Sequence, residues 1–331
     1  MRIAINGFGR IGRCLTRLIH ERALTSELEL VAINDLADYS VLAHLLQFDS
    51  THGRFGYPVL LDDDRLIIDG QPVRLCAEKD LTALPWRELG IDCVIECTGK
   101  MKSHAALSGH LQAGAGRVLA SHPVDDAELT VVYGVNHEQL DDQRIISNAS
   151  CTTNCLAPLV QVLDQAFGVE QGLMTTIHAY TNDQNLIDKA HGDPLRARAA
   201  AVSMIPTQTG AARAVGKVLP HLAGRLDGMA VRVPTLNVSL VDFQGLLRQP
   251  VSEDDINGAF RAASEGALSG ILTLNELPLV SCDFNHQSPS CIIDCAQTRV
   301  LGRQAKVMAW YDNEWGFSNR LVDLLCYWQR R

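Results

Sequence analysis

One cysteine of the chain has the surroundings of a reactive thiol. Cys151 lies within residues 147–154, among small hydroxyl and amide side chains, and apolar residues at helical spacing follow it from Leu156 to Phe167. Cys151 should therefore lie at the start of a helix, where unpaired N–H groups and the helix dipole favour an anion. Because the thiolate is the nucleophilic form of cysteine, we predict that Cys151 is a nucleophile held as its thiolate.

The other cysteines have apolar or strand-like neighbours, which is typical of buried structural thiols. Cys155 lies one helical turn after Cys151, but Cys-x-x-x-Cys is not the spacing of a thioredoxin-like redox pair. The sequence contains neither Cys-x-x-Cys nor His-x-x-x-His, so we expect no metal site.

A nucleophilic cysteine needs a base, and residues 174–178 supply a candidate. This run predicts a strand that ends at His178, and a polar loop of residues 179–184 follows. A histidine at a strand end is more often structural, yet the nucleophile requires a base nearby in space. We therefore predict that His178 pairs with Cys151.

Basic and hydroxyl residues further along the chain predict an anion pocket. Arg196 and Arg198 lie in a polar loop, and residues 207–210 combine hydroxyl groups with a flexible backbone before a helical run. Arg232 lies in a strand that is otherwise apolar enough to be buried. It is either a solvated or ion-paired surface residue, or a buried charge that must be paired.

The elements that must position these residues include a dinucleotide-binding fold. Residues 2–6 predict a strand, the turn Gly7-Phe8-Gly9-Arg10-Ile11-Gly12 follows at once, and a helical face begins within it. A second predicted strand, residues 28–33, precedes Asp35, at the spacing of the acid that binds the adenosine ribose. Gly7 and Gly9 would let the backbone approach a pyrophosphate, and Gly12 would let the helix pack on the strand. A 2′-phosphate would meet the Asp35 carboxylate, so NAD is favoured over NADP.

The length of 331 residues favours two domains. Residues 92–96, 117–120 and 130–133 alternate with helical stretches and predict further parallel strands. Thr98 and Ser121 follow the ends of two of these strands, where an open α/β sheet binds its ligand.

The net charge of −9 argues against binding to nucleic acid or to an acidic membrane surface, because both begin from a basic surface. No apolar run approaches the length of a membrane span, and the sequence opens without a signal-like segment. Ten cysteines in such a chain indicate a reducing compartment. We therefore expect a soluble, cytoplasmic protein without nucleic-acid or membrane partners.

Six segments together carry a resemblance to a known family: residues 5–12, 147–154, 178–184, 207–212, 232–234 and 310–316. On these segments the chain resembles the phosphorylating glyceraldehyde-3-phosphate dehydrogenases along its whole length. The resemblance implies a doubly wound Rossmann NAD-binding domain over residues 1–150. It implies a catalytic α+β domain with a mainly antiparallel sheet over residues 151–316, and a last helix, 317–331, that packs on the NAD-binding domain. A homotetramer is also implied.

The resemblance also implies roles for individual residues. Cys151 attacks an aldehyde, and His178 acts as a base and then as an acid. Substrate phosphate is held by Thr181 and Arg232, and inorganic phosphate by Ser150, Thr152, Thr209 and Gly210, with Arg196 near both. The expected cofactor contacts are Gly7, Phe8, Gly9, Arg10, Ile11, Gly12, Asp35, Lys79, Thr98, Ser121 and Asn313, the last of which orients the nicotinamide amide.

Two departures from the family pattern keep alternatives open. Many bacterial NAD-specific members have Leu-Pro where this chain has Lys189-Ala190, and Lys189 could tolerate a 2′-phosphate, so NADP use is not excluded. The stretches Ser121-His122-Pro123 and Gln297-Thr298-Arg299-Val300 are similar to the sister group that oxidises erythrose 4-phosphate, whereas residues 180–183 favour glyceraldehyde 3-phosphate. An NAD-binding thiol redox sensor is a third reading, but a sensor needs no paired anion sites.

Overall fold

The buried strand that opens the chain, β1 (Arg2–Asn6), lies in the middle of a nine-stranded sheet. The computed structural model describes all residues from 1 to 331, and they divide into two compact units. The nine-stranded sheet belongs to the first unit. The first unit comprises Met1–Val131, His137–Ala149 and Ser318–Arg331, and the second comprises Val132–Asn136 and Ser150–Phe317. The domain limits predicted from the sequence stay predictions, because compact packing assigns no function to either unit.

Short apolar runs between turns form the strands of the first unit. They are β1, β2 (Glu29–Asn34), β3 (Phe48–Asp49), β4 (Gly53–Arg54), β5 (Val59–Asp62), β6 (Arg65–Ile68), β7 (Gln71–Cys76), β8 (Cys93–Glu96), β9 (Arg117–Ala120), β10 (Leu129–Thr130) and β11 (Ile145–Ser147). The helices are α1 (Arg10–Glu21), α2 (Tyr39–Gln47), α3 (Trp86–Leu89) and α4 (His104–Gln112).

The sheet of the first unit runs in the order β10-β11-β9-β8-β1-β2-β7-β6-β5. All neighbouring pairs from β10 to β7 are parallel, and only β5, β6 and β7 pair antiparallel. Successive strands are added on one side of β1, starting with β2, and then on its other side, starting with β8. This is the doubly wound arrangement, in which a ligand binds at the carboxyl ends of the strands beside β1. This part of the predicted fold class is confirmed.

The second unit is built on longer, alternating strands, as expected for a sheet with two different faces. Its strands are β12 (Val169–Ala179), β13 (Ile205–Gln208), β14 (Leu226–Val233), β15 (Ser239–Leu247), β16 (Leu272–Asn275), β17 (Cys291–Asp294), β18 (Arg299–Leu301) and β19 (Gln304–Tyr311). The remaining helices of the chain are α5 (Cys151–Phe167), α6 (Ala211–Val218), α7 (Glu253–Glu265) and α8 (Trp315–Trp328).

The sheet of the second unit is mostly antiparallel, as predicted. Its order is β13-β14-β12-β15-β19-β17-β16, with β18 paired to β19. Only the pairs β12–β14 and β16–β17 are parallel. None of the helices in the structure combines the length and the apolar character that crossing a bilayer requires.

One predicted strand is largely wrong. Residues 130–133 were expected to be extended, but β10 ends at Thr130. The chain turns instead at Val132, whose N–H donates to Asn136 Oδ1 at 2.8 Å, while Val132 O accepts from the N–H groups of Val135 and Asn136. An asparagine that satisfies a nearby backbone donor stabilises such a turn in place of a sheet ladder.

A carboxylate lies fully buried at the carboxyl end of β8. Glu96 Oε1 accepts from Thr98 N at 2.8 Å and from the Thr98 hydroxyl, and Oε2 accepts from Asn6 Nδ2 at 2.5 Å. The Trp86 indole N–H donates to His110 Nδ1 at 3.0 Å, so the ring hydrogen is on Nε2, which donates to Glu96 Oε2 at 3.1 Å. Burial raises the pKa of Glu96, but these hydrogen bonds outweigh it and hold the pKa below its usual value.

Glu96→Gln should lower the free energy of unfolding by about 2 kcal/mol at pH 7, because its amide N–H₂ group would face donors from Asn6 or His110. Since the pKa of Glu96 is depressed in the folded state, its stabilisation is present above about pH 4.5 and is lost as the pH falls further. Urea unfolding of the wild type and of Glu96→Gln at several pH values measures this difference in the free energy of unfolding. Glu29→Gln, which removes an exposed partner of Arg2, is the matched control and should cost less than about 0.5 kcal/mol. Equal losses in the two variants would contradict the interpretation.

Candidate active site

Cys151 and His178 meet in the second unit although 27 residues separate them. Cys151 is the first residue of α5, and the helix begins there because the hydroxyl of Ser150 accepts from Thr153 N at 3.1 Å. Pro158 lies inside α5 without ending it. His178 lies near the end of β12, and its Nε2 is 3.5 Å from Cys151 Sγ. The structure therefore brings together the predicted nucleophile and base.

Opposing effects act on the protonation of Cys151. Burial raises the pKa of its thiol, while the Arg232 charge and hydrogen bonds at Thr152 lower it. Cys151 is the first residue of α5, as predicted, and a thiolate at this position stays a prediction.

His178 is held neutral. Its Nδ1 lies 2.6 Å from the Ala179 carbonyl oxygen, which only accepts, and also contacts Arg232 Nη1, which only donates. The contacts of Nδ1 therefore assign no tautomer, and Nε2 faces the Cys151 thiol. Burial, together with the positive charge of Arg232, lowers the pKa of His178 to about 3. The ring is therefore uncharged at neutral pH, and its Nε2 lies 3.5 Å from the thiol whose proton it would take in the predicted mechanism.

The register of the sheet places Arg232 beside His178. The two residues are direct partners in the parallel pairing of β12 with β14. Arg232 Nη1 contacts His178 Nδ1 and donates to Ala179 O at 3.2 Å, while its Nε is buried without a hydrogen-bond partner. A buried guanidinium donor without a partner fits a site that receives an anion.

A second arginine, Arg196, lies in the loop that follows His178. Its Nε donates to the Thr207 hydroxyl at 2.8 Å, its Nη1 to Asp183 Oδ2 at 2.6 Å, and its Nη2 to Gln208 O at 3.4 Å. The Thr207 hydroxyl donates in turn to Asp193 Oδ2 at 3.1 Å. Arg196 is thus fixed by hydrogen bonds from three directions.

The predicted phosphate ligands are not all turned toward an open site. Thr152 is only 4% exposed, and its hydroxyl pairs with Tyr311 Oη at 2.8 Å. The Thr209 hydroxyl accepts from Ala211 N at 3.2 Å, and Gly210 precedes α6 as its N-cap. Thr181 N donates to Gln184 Oε1 at 2.8 Å. These contacts stabilise the loops of the second unit.

Asn313 is oriented by Ser239. The Ser239 hydroxyl accepts from Ala179 N at 3.1 Å, so its own hydrogen is free to donate to Asn313 Oδ1 at 2.7 Å. This fixes the side-chain amide with Nδ2 turned away from Ser239. Val238, just before Ser239, has a φ of 70°, which is unusual for a β-branched residue and shows how closely this segment is constrained.

The glycine turn of the first unit has the shape that a pyrophosphate requires. Gly7 has a φ of 94°, and a Cβ there would lie 2.7 Å from Thr98 N. A Cβ on Gly12 would lie 2.5 Å from Gly7 O, so this glycine lets α1 pack on the turn. At Gly9 a Cβ would meet open space. No protein contact demands a glycine there, which fits close approach of a ligand to the start of α1.

The other predicted cofactor residues of the first unit lie around this turn or on its surface. Asp35 Oδ2 accepts from Phe8 N at 2.6 Å, which ties the acid to the turn, and Arg10 pairs its guanidinium with Asp49. Ile11 continues α1, Thr98 is held by Glu96, Ser121 N donates to Glu96 O at 3.0 Å, and Lys79 is exposed.

Both parts of the chain match one family. Residues 1–104 match the family described as Glyceraldehyde 3-phosphate dehydrogenase, NAD binding domain, and residues 150–313 match its C-terminal domain. A Glyceraldehyde-3-phosphate dehydrogenase of Pseudomonas aeruginosa is 56% identical over 324 residues, which cover 98% of this chain and 96% of the relative. The chain belongs to the glyceraldehyde 3-phosphate dehydrogenase family.

Two further relatives extend this similarity. The protein named Glyceraldehyde-3-phosphate dehydrogenase, plasmid, of Cupriavidus necator is 53% identical and covers 98% of this chain and 97% of its own length. Glyceraldehyde-3-phosphate dehydrogenase 1 of Bacillus cereus is 50% identical, with 98% of each chain covered. Membership of the family confirms the predictions of an oxidoreductase and of NAD as its cofactor.

Sequence reasoning missed three parts of the site in this family member. Asp183 and Asp193 surround Arg196, and Tyr311 Oη joins Thr152 to Thr176 at 2.8 Å each. Asp183 and Tyr311 lie in the segments that carry the family resemblance, so their position was a signal. Their partners were not readable from the sequence, because each contact joins residues at least 13 positions apart.

Proposed function

We propose that the chain oxidises glyceraldehyde 3-phosphate with NAD and inorganic phosphate to 1,3-bisphosphoglycerate. The observation that carries the proposal is Cys151 Sγ at 3.5 Å from a neutral His178 Nε2, beside the half-buried Arg232. A nucleophile, a base and a cation for an anionic substrate thus meet in one unit.

The chemistry assigns each step to a group of this chain. As Cys151 Sγ bonds to the aldehyde carbon, its proton passes through His178 Nε2 to the carbonyl oxygen, and the product is a thiohemiacetal. NAD, when bound, accepts the hydride that leaves this carbon. His178 takes the hydroxyl proton, and a thioester remains. Phosphate oxygen then attacks the acyl carbon, the bond to Sγ breaks, and a proton from His178 restores the Cys151 thiol.

Two phosphate positions follow from the two arginines. Arg232, with its unpaired Nε, and Thr181 would hold the phosphate of the substrate. Arg196, Ser150, Thr152, Thr209 and Gly210 would hold inorganic phosphate. The Thr152 hydroxyl would exchange its bond to Tyr311 for one to phosphate, or contribute through the start of α5 alone.

The cofactor would be held by the first unit. The pyrophosphate would contact residues 7–12, and the adenosine ribose would contact Asp35. The other predicted contacts with the cofactor are Lys79, Thr98 and Ser121. The open space above Gly9 and the fixed Asp35 carboxylate support this assignment. Asn313 Nδ2 would orient the nicotinamide amide.

We further infer a homotetramer. The segment from Leu186 to Met204 exposes large apolar side chains: Leu186 is 81% exposed, Ile187 77%, Val202 81% and Met204 75%. Surfaces of this kind are typical of protein interfaces. A solution mass of a single chain at micromolar concentration would contradict the inference.

A cytoplasmic location is the last part of the proposal. None of the ten cysteines forms a disulfide bond, which is the state that a reducing compartment maintains. Recovery of the protein in an extracytoplasmic fraction would contradict this location.

Initial rates of NADH formation test the activity. We expect a phosphate-dependent rate with glyceraldehyde 3-phosphate, a smaller kcat/KM with erythrose 4-phosphate, and a smaller kcat/KM with NADP than with NAD. A preference for erythrose 4-phosphate with little dependence on phosphate would move the chain to the sister group. No turnover with either substrate would favour the redox-sensor reading.

A further inference from the structure

One arginine of the site, Arg196, already contacts a carboxylate of its own loop. Asp183 Oδ2 accepts from Arg196 Nη1 at 2.6 Å, and Gln184 Nε2 donates to the same oxygen at 3.4 Å. His191 Nε2 lies 3.5 Å from the other Asp183 oxygen. Asp183 therefore occupies one edge of the guanidinium that inorganic phosphate would use.

The charge of Asp183 also acts on the second arginine. Burial lowers the pKa of Arg232, repulsion from Arg196 lowers it further, and the Cys151 and Asp183 charges oppose this. Arg196 and Arg232 are therefore close enough to repel each other, and Asp183 reduces that repulsion. An anion that binds between Arg196 and Arg232 would also reduce their repulsion.

We propose that Asp183 is an internal counter-ion that competes with inorganic phosphate for Arg196 and so sets the affinity of the site for phosphate. The proposal rests on the proposed function, because it deepens the role of Arg196 there. The observation behind it is the direct hydrogen bond between Arg196 and Asp183, within a loop that also contains Thr181.

Competition follows from the number of donors and from charge. A guanidinium has five N–H groups, and three of those of Arg196 are used by Thr207, Asp183 and Gln208. Phosphate that takes the remaining donors must lie beside a carboxylate of like charge, or displace it. Displacement is feasible, because the Asp183 side chain is 46% exposed and can move into water.

Asp183→Asn should lower the KM for phosphate about threefold to tenfold, since an amide keeps the shape and removes the like charge. The KM for glyceraldehyde 3-phosphate should change less, because Asp183 accepts a hydrogen bond from Arg196 and none from Arg232. Asp188→Asn is the matched control. Asp188 lies in the same loop, pairs with the exposed Arg198 at 2.8 Å and makes no contact with Arg196 in the structure, so phosphate KM should not change.

A binding measurement separates this proposal from the proposed function. Inorganic phosphate alone, at constant ionic strength, should raise the melting temperature of Asp183→Asn at lower concentration than it does for the wild type. If Asp183→Asn had a higher KM for phosphate and needed more phosphate to raise its melting temperature, the proposal would be overturned. Asp183 would then be a positioning residue for Arg196. Unchanged values in both assays would overturn it as well. If the wild type shows no phosphate-dependent turnover, the proposed function fails, while the melting measurement still decides whether Asp183 competes.

Discussion

Cys151→Ala should abolish phosphate-dependent NADH formation, by more than about 10⁴-fold, while NAD still binds. No other thiol lies in hydrogen-bond contact with His178, so nothing in the site replaces the lost nucleophile. The glycine turn and Asp35 belong to the first unit and make no use of Cys151. Steady-state rates measure the first effect, and titration of tryptophan fluorescence with NAD measures the second.

Cys282→Ala is the matched control for loss of a thiol. Cys282 is exposed and lies outside the site, so turnover and NAD affinity should equal those of the wild type. Residual activity of Cys151→Ala above a few per cent would remove Cys151 from the role of nucleophile. Loss of NAD binding in a folded Cys151→Ala protein would contradict the proposal that NAD binding does not depend on Cys151.

The parts of the molecule that could be predicted from the sequence are those in which neighbours along the chain decide the structure. The turn from Gly7 to Gly12 needs glycine for local reasons, with a positive φ at Gly7 and a close backbone approach at Gly12. The start of α5 follows from Ser150 and the apolar periodicity behind it. The fold class followed from such local patterns.

The parts that could not be predicted depend on contacts between distant segments. Arg232 meets His178 because of the register between β12 and β14, and no spacing within the sequence encodes that register. Burial and this arginine lower the pKa of His178, whereas burial raises the pKa of the Cys151 thiol and the arginine lowers it. The helix start therefore predicted the location of the nucleophile, while its charge depends on these distant contacts.

His178→Asn should lower kcat about 10²- to 10⁴-fold, the usual scale for a lost general base. The pH dependence is more specific than the size of the loss. Because the pKa of His178 is about 3, the wild-type base is neutral throughout the range from pH 5 to 8, and the acylation rate should vary little there. The variant has to rely on the thiolate fraction of Cys151, whose pKa is raised by burial. Its rate should therefore rise about tenfold per pH unit over the same range.

Stability supplies an independent measure of the same environment. The pKa of His178 falls from 6.5 in the unfolded chain to about 3 in the folded one, so the unfolded state alone binds this proton in between. The wild type should accordingly lose stability as the pH falls below about 6.5, and His178→Asn should lose less. A variant whose pH–rate profile runs parallel to that of the wild type would remove His178 from the role of base, even if its rate were low. A changed rate profile together with an unchanged stability profile would show that the proton taken from Cys151 goes to His178, but that the residue is less buried than its contacts with Ala179 and Arg232 require.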